Sequence, residues 1–337
     1  MSCEVISIMQ DIAKTQHYTT NYDTICGNLV QYIPNEVILV EPFVGQGDLL
    51  NLFPEHQWEI YDLDPKIDGC ITQDTLLCVP DYTNKYVITN PPYLAKNKAK
   101  ERAIYDQYDL DDLYKIALKT MLTAAGGILI IPTNFFCDNY SQKIREEFLD
   151  TFDILAVNVF TEPIFEDTTY SVCAFAFRRK TRADSVQQFN IIKYPSLETY
   201  DIVVEKEYGY RIGGQIFHFL SEIKPAFTRL LKDKEPAGFI TKINLYTIDT
   251  RTEPLHLTFG EPSFYGKSTD RTYATLVSDV ELSEETQKEL VEKCNNFLTL
   301  YRLQNGNLVF TNYRDYDRKR VEFDFIYRLL TLLLKNI

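Results

Sequence analysis

The first half of this chain alternates short apolar runs with longer polar or helix-like stretches, and that alternation limits what it can fold into. Val37–Glu41, Gln57–Asp62, Tyr86–Asn90, Gly127–Pro132, Asp153–Phe160 and Ser171–Arg178 are rich in β-branched and aromatic residues and short enough to be buried strands. Ala103–Ala125 instead carries Leu113, Ile116, Ala117, Met121 and Leu122 at helical spacing. Strands interleaved with helices predict an α/β fold with a doubly wound, mostly parallel sheet. In such sheets ligands bind beyond the carboxyl ends of the strands.

The 337 residues suggest two domains at roughly 150 residues each. The polar, aperiodic stretch Lys180–Gln188 places the boundary at 180/181, giving domains 1–180 and 181–337. The second half reads as α+β, with helices over Glu284–Leu300, N-capped by Ser283, and over Val321–Leu334. Charge separates the same halves: of a net −13, the first carries −12 and the second −1. A chain basic all over is excluded, so a polyanion must meet basic residues clustered on one face.

Seven cysteines with no C-x-x-C pair, and four histidines with no metal-ligand spacing, point to a reduced cytoplasmic protein without a zinc site. Met1–Lys14 contains Glu4 and Asp11 and lacks the basic start and apolar run of a signal peptide. The apolar stretches Gly127–Pro132 and Phe325–Leu334 are too short to span a bilayer.

Four signals sit on successive strand ends. Glu41-Pro42-Phe43-Val44-Gly45-Gln46-Gly47 ends a strand on an acid and follows it with two glycines, which allow close backbone approach to a ligand. It is not a full G-x-G-x-x-G, because Leu50 stands at the third glycine position. Asp62, followed by Leu63, closes the next strand and suits ribose hydroxyls. Asp74, followed by Thr75, closes an expected short third strand, where a carboxylate can accept from an adenine amino group. Each of these alone is equally a plain turn. The fourth, Asn90-Pro91-Pro92-Tyr93, is the most specific. Its prolines leave carbonyls with no competing backbone donors. Asn90 and the Pro91 carbonyl can then accept both hydrogens of one amino group, while Tyr93 offers a ring for stacking.

In this order the four signals resemble the S-adenosylmethionine-dependent amino methyltransferases, and in detail the γ-class DNA adenine-N6 enzymes of type II restriction-modification systems. The resemblance covers roughly residues 15–180. His17–Ile33 is similar to the family's N-terminal cofactor segment, which implies that Tyr18, Thr19 and Thr20 lie near the methionine moiety. Asp112–Asn134 is similar to its fifth-strand block, and Phe160–Thr169 to the loop that packs an aromatic, here Phe165, on the flipped base. Glu41 stands where many relatives have Asp, which keeps the carboxylate.

The resemblance implies S-adenosylmethionine as cofactor, held by Tyr18, Thr19, Thr20, Glu41, Pro42, Phe43, Gly45, Gly47, Asp62, Leu63, Asp74, Thr75 and Asn90. It implies a catalytic domain followed by a target-recognition domain, a monomer acting on double-stranded DNA, and a cognate restriction endonuclease sharing the site without a stable complex. Phosphate contacts are expected of Lys96, Lys98, Lys100 and Arg102 after the motif, a run that reads equally as a solvated helix start. In the second half they fall to Lys267 and Arg271 of Tyr265–Tyr273 and to Arg314, Arg318, Lys319 and Arg320 of Tyr313–Arg320. A positive cleft between the halves, flanked by these segments, is expected. Two rivals stay open: an N-P-P-Y enzyme acting on a protein glutamine or an RNA guanine, and a non-catalytic DNA-recognition or cofactor-binding subunit.

Overall fold

Parallel pairing of five strands builds one side of the first sheet. β1 (Ile38–Glu41) pairs with β2 (Gln57–Asp62) on one side and β4 (Tyr86–Thr89) on the other; β3 (Ile71–Thr72) extends from β2, and β5 (Gly126–Pro132) from β4. β7 (Val172–Arg179) runs antiparallel between β5 and β6 (Phe152–Phe160). With β8 (Val186–Tyr194) and β9 (Glu198–Glu205) beyond β6, the full order is β3-β2-β1-β4-β5-β7-β6-β8-β9, a doubly wound, mostly parallel sheet. This computed structural model describes residues 21–165, 171–312 and 317–337.

Layers cover both faces. Phe175 and Phe177 of β7 pack with Phe148, on the helix Gln142–Thr151. Their strand neighbour Ala174 is paired with Asn158 of β6, whose amide turns to the other side and donates to the Ile25 carbonyl at 2.9 Å. That bond seats the helix Tyr22–Cys26, where Ile25 and Cys26 are fully buried. The expected helix within Ala103–Ala125 is two, Ala103–Tyr108 and Leu113–Thr120, because Asp109 turns into the left-handed region at φ 53°.

At the centre the strands approach closely. A Cβ on Gly127 would stand 1.9 Å from the Val87 carbonyl oxygen of β4, and one on Gly126 would stand 2.6 Å from the Phe177 carbonyl oxygen of β7. Only hydrogen fits at either position.

The chain divides into units 1–210 and 211–337, rather than at 180/181. The polar stretch at 180–188 is the turn into β8 (Val186–Tyr194), which adds parallel to β6, and β9 (Glu198–Glu205) closes that edge. Gln187 shows why a polar residue belongs there: its side chain donates to the Leu149 and Phe152 carbonyls.

The second unit is α+β. β10 (Phe227–Arg229), β11 (Phe239–Tyr246), β12 (His256–Phe259) and β13 (Tyr273–Ser278) form an antiparallel sheet in the order β10-β13-β11-β12. The helix Glu284–Gln304 starts at Ser283, whose side chain accepts from Thr286 N as an N-cap should. Its Leu290, Cys294 and Leu298, with Phe325, Ile326 and Leu329 of the helix Phe323–Leu334, share one core with Ile243, Leu245, Leu257 and Leu276 of the sheet. No helix among the described residues is long and apolar enough to cross a membrane.

Candidate active site

Strand order reverses between β1 and β4, the place where doubly wound sheets bind ligands. Glu41 ends β1 there and is 2% exposed. Its Oε1 accepts from Thr89 Oγ1 at 2.5 Å and from Phe43 N at 3.1 Å. Burial nevertheless pushes its carboxyl up to about 8, with the charge of Asp62 adding to the rise and the two hydrogen bonds opposing it.

The glycine loop is tied to the end of β2. Asp62 is buried; its Oδ2 accepts from Gly45 N at 2.8 Å and its Oδ1 from Asp64 N at 2.8 Å. Val44 N donates to the Tyr61 carbonyl at 2.9 Å. Gly45 and Gly47 hold φ of 53° and 83°, which glycine tolerates without strain. The chain then makes a 3-10 turn over Asp48–Leu52.

Beyond β3, Asp74 Oδ1 accepts from Leu76 N at 3.0 Å and from Leu77 N at 3.2 Å, and Thr75 Oγ1 donates to the Pro42 carbonyl at 3.0 Å. These turns assemble one open pocket of about 290 Å³, solvent mouth included, lined by Pro42, Phe43, Asp62, Leu63, Gln73, Asp74, Thr75, Leu76 and Pro92. Six residues singled out in the sequence for the cofactor therefore share a wall with the second proline of N-P-P-Y. Glu41, Gly45, Gly47 and Asn90 are not part of that lining.

Within the motif, Pro91 and Pro92 are buried, and the Pro91 carbonyl accepts no hydrogen bond from the described residues. The Tyr93 hydroxyl lies 2.5 Å from Asn90 Oδ1 and 2.7 Å from the Ile130 carbonyl of β5. Its ring is 8% exposed and packs edge-on against Tyr114 at 6.1 Å. Phe165 is 4% exposed. Neither ring is presented as an open stacking face, so either must be uncovered before a base can lie on it. The residue after the motif, Leu94, donates from its amide to Asp112 Oδ1 at 3.1 Å, and burial pushes that carboxyl up to about 7.

The expected basic contacts separate into groups. Lys98, Lys100 and Arg102 are exposed directly after the motif, and Lys96 is paired with Asp106 at 2.5 Å. Lys267 and Arg271 are exposed in the second unit, and Arg318 and Arg320 are half-buried. Lys319 does not face solvent. It is fully buried, its ammonium bonded to Asp317 at 2.5 Å and to Asn312, and so is unavailable to a phosphate. Tyr18, Thr19, Thr20 and Arg314 lie outside the described residues.

Sequence reasoning missed Thr89, Gln73, Leu76 and Asp112. Thr89 and Leu76 each lie within two positions of a residue that was singled out, which was the available signal. Asp112 carried none, since its partner Leu94 lies on another element.

No protein-family model matches the chain, and no curated protein matches it in sequence. Solved structures similar to it include the modification subunit assigned to a type I restriction enzyme of Vibrio vulnificus, at 15% identity and a TM-score of 0.42, covering 58% of this chain and 52% of that one. A protein of Listeria monocytogenes assigned to the class I S-adenosylmethionine-dependent methyltransferases matches at 13% and 0.44, covering 55% of this chain and 69% of that one. The M protein of the type I restriction enzyme EcoKI matches at 13% and 0.39, covering 95% and 71%. The chain thus spans about half the length of the first of these. All three are likenesses of fold and transfer no residue role.

Proposed function

We propose that the chain is an S-adenosylmethionine-dependent methyltransferase acting on the N6 amino group of adenine in duplex DNA. The observation that carries this reading is the shared wall: Pro92 of Asn90-Pro91-Pro92-Tyr93 lines the same pocket as Asp62 and Asp74. That pocket fits the adenosine part of the cofactor in chemistry. Its proline and leucine walls suit a planar ring, Asp62 suits ribose hydroxyls, and Asp74 suits an adenine amino group. Glu41 offers a carboxylate for the cationic amino-acid end.

When bound, S-adenosylmethionine supplies an electrophilic methyl group on a sulfonium. The chain's part is to bind, orient and polarise. Asn90 Oδ1 and the Pro91 carbonyl accept the two hydrogens of the target amine, whose lone pair is otherwise delocalised into the ring. Holding both hydrogens favours a tetrahedral nitrogen with a localised lone pair aimed at the methyl group, so catalysis is orientation and electrostatics. The base must leave the duplex, at a cost of a few kcal/mol, and Tyr93 and Phe165 are the rings assigned to receive it. Lys98, Lys100 and Arg102 are placed by sequence to grip the adjoining phosphates, and target recognition, expected of residues 181–337, falls to the second unit, residues 211–337.

Tritium transfer from labelled cofactor to plasmid DNA tests the proposal. Wild-type chain yields N6-methyladenine, and Asn90→Ala abolishes transfer while leaving cofactor binding nearly intact, since Asn90 is one of many proposed cofactor contacts. Normal turnover by Asn90→Ala overturns the mechanism. Label entering a release-factor glutamine or ribosomal RNA overturns the DNA assignment, and cofactor binding without transfer to any of these marks a non-catalytic subunit.

A further inference from the structure

One face of the second unit's sheet is covered by helices, and the opposite face ends in a row of rings. Along β11, Ile243 and Leu245 enter the core while Asn244 and Tyr246 alternate to the other side. Tyr246 is in register with His256 of β12 and with Tyr273 of β13, so the three form a cross-strand row. Tyr246 and His256 stack at 4.9 Å with an 8° interplanar angle, and Phe264 packs edge-on against Tyr246 at 5.1 Å and tilted on Tyr273 at 4.7 Å.

The row ends in polar atoms that the fold does not use. The Tyr246 and Tyr273 hydroxyls make no hydrogen bond among the described residues, and Tyr273 is 45% exposed. His256 Nδ1 lies 2.7 Å from the Pro254 carbonyl. A carbonyl only accepts, so Nδ1 carries the proton, and Nε2 is left with no partner among the described residues.

Beside the row stands a basic turn that is built rather than loose. Lys267 N donates to Asp270 Oδ2 at 2.6 Å, the Arg229 guanidinium donates to the Ser268 and Asp270 carbonyls, and Thr247 Oγ1 donates to the Arg271 carbonyl at 2.7 Å. The side chains of Lys267 and Arg271 are exposed and make no ion pair among the described residues.

We infer that the His256–Tyr246–Tyr273 row and the Lys267–Arg271 turn form a contact surface for one strand of the DNA substrate. The rings lie against sugar and base faces, the hydroxyls and Nε2 meet polar edges, and the two cations meet phosphates. Charge complementarity selects this occupant: two unpaired cations held on a fixed turn beside polar-tipped rings suit a polyanion with planar groups. An aliphatic partner surface would leave every one of those polar atoms unmatched. The inference rests on the DNA reading of the first unit and assigns the second unit its part in it.

Fluorescence anisotropy of the full chain with a fluorescein-labelled duplex of mixed sequence, over a salt series, tests this. Tyr246→Ala/Tyr273→Ala is expected to weaken binding about tenfold. Lys267→Ser/Arg271→Ser is expected to flatten the slope of log affinity against log salt by about 1.8. Cofactor affinity stays at the wild-type value in both. The serine variant changes only exposed side chains without partners, so it remains decisive should the alanine variant fail to fold. Wild-type affinity and slope in the serine variant overturn the surface, and they leave the DNA reading intact where wild-type chain still methylates DNA. Absence of both duplex binding and methyl transfer to DNA in the wild type overturns both.

Discussion

Thr89 Oγ1 donates to Glu41 Oε1 at 2.5 Å, joining the ends of β4 and β1 at the position where strand order reverses. The threonine immediately precedes Asn90, so this bond links the acid of the glycine loop to the residue proposed to orient the amine. Thr89→Val removes the donor and leaves Glu41 Oε1 buried with Phe43 N as its donor among the described residues. Destabilisation of ~1–3 kcal/mol by urea unfolding is expected, with recovery in Thr89→Ser.

Glu41 sets a pH dependence. Burial raises its folded-state value to about 8, above that of an unfolded glutamate. The associated stability is therefore fully present below the ordinary carboxylate range and is lost as pH rises through about 8. Glu41→Gln, which keeps an acceptor for Thr89, is expected to melt like wild type near pH 4 and above it at pH 9. Cofactor affinity in the wild type is expected to rise from pH 6 to pH 8 as the carboxylate forms, and to be weak and flat in Glu41→Gln. Calorimetric titration at both pH values reads this, and a flat wild-type profile contradicts the pairing.

Tyr93 holds one hydroxyl proton between two acceptors, Asn90 Oδ1 and the Ile130 carbonyl. Tyr93→Phe keeps the ring and its packing on Tyr114 and loses that link. Cofactor affinity should stay unchanged while kcat falls about tenfold, a loss confined to orientation at the amine. Full kcat in Tyr93→Phe denies the hydroxyl an orienting role.

Asp112 is a second buried carboxyl, pushed up to about 7 and accepting from Leu94 N. Charge on it strengthens its grip on the segment after the motif as pH rises through 7. Asp112→Asn is expected to match wild-type kcat at pH 6 and to fall several-fold below it at pH 8. Superimposable kcat profiles across that range count against this.

Gly127→Ala places a methyl group 1.9 Å from the Val87 carbonyl oxygen, between strands that cannot separate without breaking the sheet. A loss of at least ~2 kcal/mol is expected by chemical denaturation.

β1, β4 and β5 were readable because burial on both faces leaves continuous apolar runs, and β1, β2, β4, β5, β6 and β7 lie within about a residue of their expected bounds. β8 and β9 were not, since β8 has polar residues on both faces: Gln187 and Lys193 share the buried face with Phe189 and Ile191, and the other face carries Gln188 and Asn190, so its first residues read as part of the linker Lys180–Gln188. Lys319 sits in a basic run that looks like solvated surface. Its counter-charge, Asp317, is two residues away, but whether such a pair is buried depends on what packs over it. Tyr93 was legible as a residue and not as a hydrogen bond, because Ile130 and Tyr114 reach it from other elements.

The 3-10 turn after Gly47 has an electrostatic consequence. An α-helix beginning there would bring roughly half a positive elementary charge to its first turn, the arrangement that holds phosphates. Over Asp48–Leu52 the chain instead makes a single tight turn with an acid at its head. Beside it, Glu41 ends the preceding strand and Asp62 accepts from Gly45 N. A pyrophosphate would meet these carboxylates with only one short turn of peptide dipoles to offset them, whereas a ligand with a positive centre and no phosphate is attracted.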